Sequence, residues 1–179
     1  MRNRKLILII GTTATGKTTI LCEIIKHSKQ KVLIYDINRE QLYKKYPVVN
    51  LLKIDKIQKG KWRCIYPEPH KFIDNVIKYY RNGLLILDDT DRYLSSANID
   101  WKNLLIGHRH FGHDVIAVFH SLNRVLPIFY ENCTDIILFK TQEYPEKLIY
   151  KLPNPDIIIK AYDELQKMEQ YKYKFIKIR

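Results

Sequence analysis

The chain has 179 residues, 46% of them apolar, and 31 Lys and Arg against 19 Asp and Glu give a formal net charge of +12 at pH 7. That length suits one domain with one substantial core, and that apolar share excludes a disordered chain. No run of about 18 apolar residues is present, which excludes a transmembrane helix and favours a cytoplasmic setting.

Cys22, Cys64 and Cys133 have no CxxC spacing, so neither a zinc cluster nor a disulfide scaffold is visible, and buried thiols are expected. The positive charge points to an anionic partner, with nucleic acid the leading candidate.

The first apolar run, Lys5 to Ile10, reads as an interior strand, too short for a signal peptide and turning directly into a glycine loop. A helix follows from Thr18 to His27, and a second strand from Val32 to Tyr35. The stretch from Val48 to Tyr66 fits either short strands or an irregular connection. Pro67 and Pro69 close it, and a helix begins near Glu68 to Asp74 and runs through His70 to Tyr80. Strands are then expected at Leu84 to Leu87, Val115 to Phe119 and Ile136 to Phe139, with helices at Asp100 to Ile106 and Leu122 to Tyr130. In the tail, NPDIIIKAYDELQKMEQ has helical spacing and YKYKFIKI alternates with period two, as an edge strand does. Continuous apolar strands between helices define an α/β chain, its mainly parallel central sheet covered by helices on both faces and ended by a C-terminal edge strand. All of 1–179 is expected to be one domain, with 142–179 as its helix and strand extension.

Gly11, Gly16, Lys17 and Thr18 match G-x-x-x-x-G-K-[ST], and the flanking strand and helix supply the context that the motif requires. Such a loop, Gly11, Thr12, Thr13, Ala14, Thr15, Gly16, Lys17, Thr18 and Thr19, curls its N–H groups around phosphate oxygens at a helix N-terminus. Lys17 then reaches the β and γ phosphates, and the Thr18 hydroxyl serves Mg²⁺. The apolar strand LLIL ends in Asp88 and Asp89, at the edge where open α/β sheets bind ligands. Asp88 is the better carboxylate for Mg²⁺, and Asp89 is placed to polarise an attacking water. Asp36 closes a third strand, where it could order water or the loop near the γ phosphate, and Glu40 could begin the following helix; a helix-capping or solvated role is the alternative. No N-K-x-D sequence reads a guanine, so ATP is favoured over GTP.

His108, Arg109, His110 and His113 cluster before the strand at 115–119, and His120 and Ser121 follow it. The histidines lack a recognised zinc spacing. Arg109 could neutralise phosphoryl charge in its own chain or across a subunit boundary, or make a surface ion pair, and His120 could donate to the γ phosphate or cap the strand end.

Taken in order, GTTATGKT, LIYDINRE, LLILDD, GHRHFGHDVIAVFHS and DIILFK resemble the FtsK and HerA superfamily of P-loop ATPases, especially the genome-packaging ATPases of tailless, membrane-containing viruses. The resemblance spans about residues 5 to 141. It implies a P-loop NTPase fold and ATP hydrolysis coupled to translocation of double-stranded DNA, with Lys17, Asp89, Arg109 and His120 catalytic, and with Arg109 acting in trans. It also implies a hexameric homo-oligomer, procapsid or membrane-associated packaging partners, and work in the host cytoplasm or at the virion packaging vertex. Family members commonly carry Glu at the position of Asp89 and Gln at that of His120. A small-molecule or nucleoside kinase and a nucleotide-dependent assembly module are the alternatives.

Overall fold

The computed structural model describes residues 4–93, 99–145 and 150–179. Its strands are β1 (Leu6–Ile10), β2 (Lys31–Tyr35), β3 (Lys61–Cys64), β4 (Gly83–Leu87), β5 (Asp114–Phe119), β6 (Asp135–Phe139) and β7 (Tyr173–Lys177). Its helices are α1 (Lys17–His27), α2 (Pro69–Tyr79), α3 (Ile99–Gly107), α4 (Pro127–Asn132) and α5 (Pro155–Gln166). The strands form one sheet in the order β3-β2-β4-β5-β1-β6-β7, parallel except for β7, which pairs antiparallel with β6. Central in the sheet and covered by helices on both faces, β1, β4 and β5 are apolar without alternation.

The two faces are covered unequally. Leu21 and Ile25 of α1 pack on Ile9, Ile34, Ile86, Val118, Ile137 and Phe139. On the other face Phe72 of α2, Trp101 of α3, Phe129 of α4 and Ile158 of α5 join Leu8, Leu33, Leu85, Ala117 and Leu138 in the larger core. With one helix against four, the end of the sheet beyond α1 stays open: Phe175 and Tyr173 sit opposite Ile137 and Phe139, yet are 56% and 47% exposed. Among the described residues no helix is long and apolar enough to cross a membrane.

Two segments add detail to the expectations. In the stretch from Val48 to Tyr66 a short strand does form, β3 as a parallel edge strand, but a 3₁₀ helix, Leu51–Lys56, takes the place of the first expected strand. Asn50 begins the 3₁₀ helix, its side chain accepting from Leu52 N at 2.9 Å. The helix expected over Leu122 to Tyr130 starts only at Pro127: the residue before a proline is driven out of the helical region, and Leu126 is extended at φ −69°, ψ 146°.

His113 is fully buried and its Nε2–H donates to the Tyr80 carbonyl at 2.9 Å, while His108 Nδ1 meets the His113 carbonyl at 3.0 Å. These rings lock the turn between α3 and β5 against the end of α2. Burial, aided by Arg81, His108 and Arg4, pulls the His113 pKa from 6.5 to about 4. A histidine depressed on folding takes up its proton more readily in the unfolded chain, so stability falls as pH drops through 6.5 and levels off below about 4. Between about pH 7.5 and pH 5 this one residue should remove about 2 kcal/mol. Urea unfolding at the two pH values measures the loss, and His113→Gln, which can still donate to Tyr80, should flatten it.

Candidate nucleotide site

The loop after β1 is fixed from both neighbouring strands. Gly11 N donates to Phe119 O at 3.2 Å and Thr12 N to Lys140 O at 3.0 Å. A Cβ at Gly11 would lie 2.5 Å from Phe139 Cβ, so only glycine lets the chain pass there. Gly16, at φ 97°, turns the loop into α1 from the left-handed region that glycine occupies freely. The Lys17 side chain folds back inside the loop, its Nζ donating to the Gly11 and Thr12 carbonyls, both at 2.7 Å. Burial lowers its pKa, and the negative charges of Asp89, Asp88 and Asp91 partly offset this.

All six parallel strands end on this same edge. Lys17 and Thr18 share a cavity of about 240 Å³ with Asp36, Asp88, Asp89 and His120. Asp88 accepts from Tyr43 Oη at 2.9 Å and from Asp89 N at 3.0 Å. Burial first, and then neighbouring Asp89, raise its pKa to about 6. Asp89 stands in the left-handed region at φ 50°. Its carboxylate lies 3.2 Å from His120 Nε2 and 3.6 Å from Arg92 Nε, and it also accepts from Asn38 Nδ2.

On the other side of the His120 ring, Nδ1 is 3.1 Å from Asp91, whose carboxylate is 1% exposed and also accepts from Arg124 at 3.1 Å. Burial alone would raise the Asp91 pKa, but the hydrogen bond and charge of His120 and the hydrogen bond of Arg124 prevail and hold it low.

The sequence singles out Lys17, Thr18, Asp88, Asp89 and His120, and the fold brings them to one cavity. It gives Asp36 a structural duty: its carboxylate accepts from Arg63 of β3 at 3.1 Å and from Glu40 N at 2.7 Å. Glu40 begins a 3₁₀ turn, Gln41–Tyr43, its side chain accepting from Leu42 N at 3.4 Å. Arg109 goes elsewhere. It is exposed and precedes β5, whose opposite end carries His120. Six residues of strand separate the two, roughly 20 Å at about 3.3 Å per residue, so Arg109 does not reach its own chain's cavity. The reading of Arg109 as a finger in cis is thereby corrected.

Sequence reasoning missed Tyr43 and Asn38, and read Asp91 as a solvated loop acid and Arg92 and Arg124 as alternatives to Arg109 rather than as the surround of His120. The run DDTDR carries two of these charges, Asp91 and Arg92, but nothing in it says that Asp91 points inward. Among the described residues no group of three or more His, Cys, Asp and Glu is gathered as a metal cage, and His108 and His113 are held by backbone carbonyls.

A phosphate loop after β1, acids after β4 and helices on both sides of a mostly parallel sheet define the P-loop NTPase fold. Its solved neighbours share that architecture. The genome packaging NTPase B204 from Sulfolobus turreted icosahedral virus 2, solved with AMP, superposes with a TM-score of 0.78 at 21% identity, covering 99% of this chain and 94% of that one. B204 from Sulfolobus turreted icosahedral virus, a DNA-packaging ATPase, gives 0.72 at 22% identity over the whole of both chains. The N-terminal domain of zonular occludens toxin from Neisseria meningitidis gives 0.51 at 12% identity, covering 99% of this chain and 96% of that one. No protein-family model matches the sequence, and no curated protein does.

Proposed function

We propose that this protein is a P-loop ATPase that hydrolyses ATP to ADP and phosphate and uses the energy to move double-stranded DNA in viral genome packaging. The observation that carries the reading is the single cavity in which Lys17 and Thr18 face Asp88, Asp89 and His120. The similarity to B204, a genome packaging NTPase solved also with ATP-gammaS, supports it. In this reading 1–179 is one ATPase domain, with 142–179 as its extension.

The loop N–H groups from Thr13 to Thr19 would hold the phosphate tail, and Lys17 would leave the Gly11 and Thr12 carbonyls for the β and γ phosphate oxygens. Thr18 and Asp88 offer a hydroxyl and a carboxylate, hard oxygen donors of the kind that Mg²⁺ takes. Asp88 suits that task, because a carboxyl that burial holds near 6 gains most from a cation beside it. Bound there, Mg²⁺ would neutralise charge on the phosphate oxygens. Asp89 orients the water, and the His120 ring donates from Nε2 to the γ phosphate once that group competes for it with Asp89.

Arg109, remote from its own cavity, would complete a neighbour's site, which requires a homo-oligomer, a hexameric ring around DNA. The net charge of +12 suits contact with the phosphate backbone and offers no base reading. Procapsid or membrane-associated packaging proteins would be its further partners, in the host cytoplasm or at the packaging vertex.

The test is phosphate release from ATP and Mg²⁺ by the assembled protein, with and without double-stranded DNA. Severalfold stimulation is expected. Turnover indifferent to DNA would contradict the translocase, and stoichiometric transfer to a metabolite would establish a kinase instead.

A further inference from the structure

The phosphate loop has a second flank. A cavity of about 320 Å³ runs along Ala14 to Thr19 on the side away from the acids, and Tyr171 forms its outer wall. It meets the acidic cavity over Lys17 and Thr18, which line both. Tyr171 is the single Phe, Tyr or Trp lining either of the two among the described residues.

Its placement is built rather than incidental. A Cβ at Gly16 would stand 3.6 Å from Tyr171 Cδ1, so the ring edge lies against the loop backbone. The turn that carries it, between α5 and β7, is tied to the site at two points: Lys140 Nζ donates to the Met168 carbonyl, and Gln170 Nε2 to the Ala14 carbonyl at 3.4 Å. Tyr171 itself is held at φ 70°, a backbone region costly for an aromatic residue, and its side chain remains 64% exposed.

With the γ phosphate directed to Asp88, Asp89 and His120, the nucleoside end of a triphosphate leaves the loop past Thr18 and Thr19. A purine emerging there meets one ring face, and aromatic stacking is the interaction every base can make. We propose that Tyr171 is the platform on which the base of the bound nucleotide stacks. This rests on the nucleotide reading above.

Calorimetry with two probes tests it, ATP with Mg²⁺ and inorganic tripolyphosphate, which carries the charges without a base. Tyr171→Ala should weaken ATP binding about tenfold and leave tripolyphosphate binding unchanged, while Tyr171→Phe should bind ATP as the wild type does. Equal weakening of both probes, or none, would overturn the platform with the phosphate site intact. Wild-type protein that binds neither probe would remove the nucleotide reading itself.

Discussion

Lys17→Ala is expected to lower ATP turnover by about 10³-fold while leaving the protein folded. Lys17 belongs to neither apolar cluster that holds the sheet to its helices. Its ammonium makes two hydrogen bonds, to the Gly11 and Thr12 carbonyls, and these do not join separate elements. Their loss costs about 1 kcal/mol, a few degrees in melting temperature for a chain of this size. Turnover loses the ammonium that the loop holds for the phosphates. Paired measurements of phosphate release and thermal unfolding separate the two effects. A variant that unfolds, or one that turns over ATP normally, would remove Lys17 from the proposed role.

Arg109→Ala is expected to abolish nearly as much activity by a different route. An arginine finger contributes about 10³-fold or more to phosphoryl transfer. Arg109 is exposed and sits at the far end of β5 from His120, so its removal should change stability by no more than about 0.5 kcal/mol and should not alter ATP affinity in the isolated chain. Mixing gives the decisive reading. When inactive Lys17→Ala and inactive Arg109→Ala subunits assemble together, one boundary in about four joins an intact loop to an intact arginine, and roughly a quarter of wild-type turnover should return. Two residues that act in the same chain would restore nothing.

The sequence makes the fold legible where one signal dominates. LILII ahead of the glycine loop, LLIL ahead of two aspartates and the alternation of YKYKFIKI each fix an element and its place, and β7 does pair at the sheet edge. Signals that depend on distant partners are less readable. The run VVNLLKI is apolar enough for a strand, yet Asn50 starts a 3₁₀ helix there, while β3 gains its place only by pairing with β2. Leu122 to Leu126 carries helical spacing, and Pro127 overrules it.

The candidate site divides in the same way. Lys17, Thr18 and Asp88 are read from local motifs, because each motif includes its own strand or helix. The pairing of His120 with Asp89 and Asp91 joins the ends of two strands and cannot be seen in either segment alone. Tyr171 is more distant still, since 154 positions of chain lie between Gly16 and it, and only the return of β7 beside β6 sets its ring against the loop. Arg109 shows the converse: neighbours in sequence, Arg109 and His120 stand at opposite ends of one strand. Asp89 and His120, which both line the cavity, meet at 3.2 Å across it.

The most direct test of water attack in this cavity is the isotopic composition of the phosphate released when the assembled protein consumes ATP in water enriched in heavy oxygen. One solvent oxygen in each phosphate released is the result expected of Asp89 acting on a bound water while His120 holds the γ phosphate. Phosphate without solvent oxygen, or γ phosphate recovered on an organic acceptor, would contradict hydrolysis at this site.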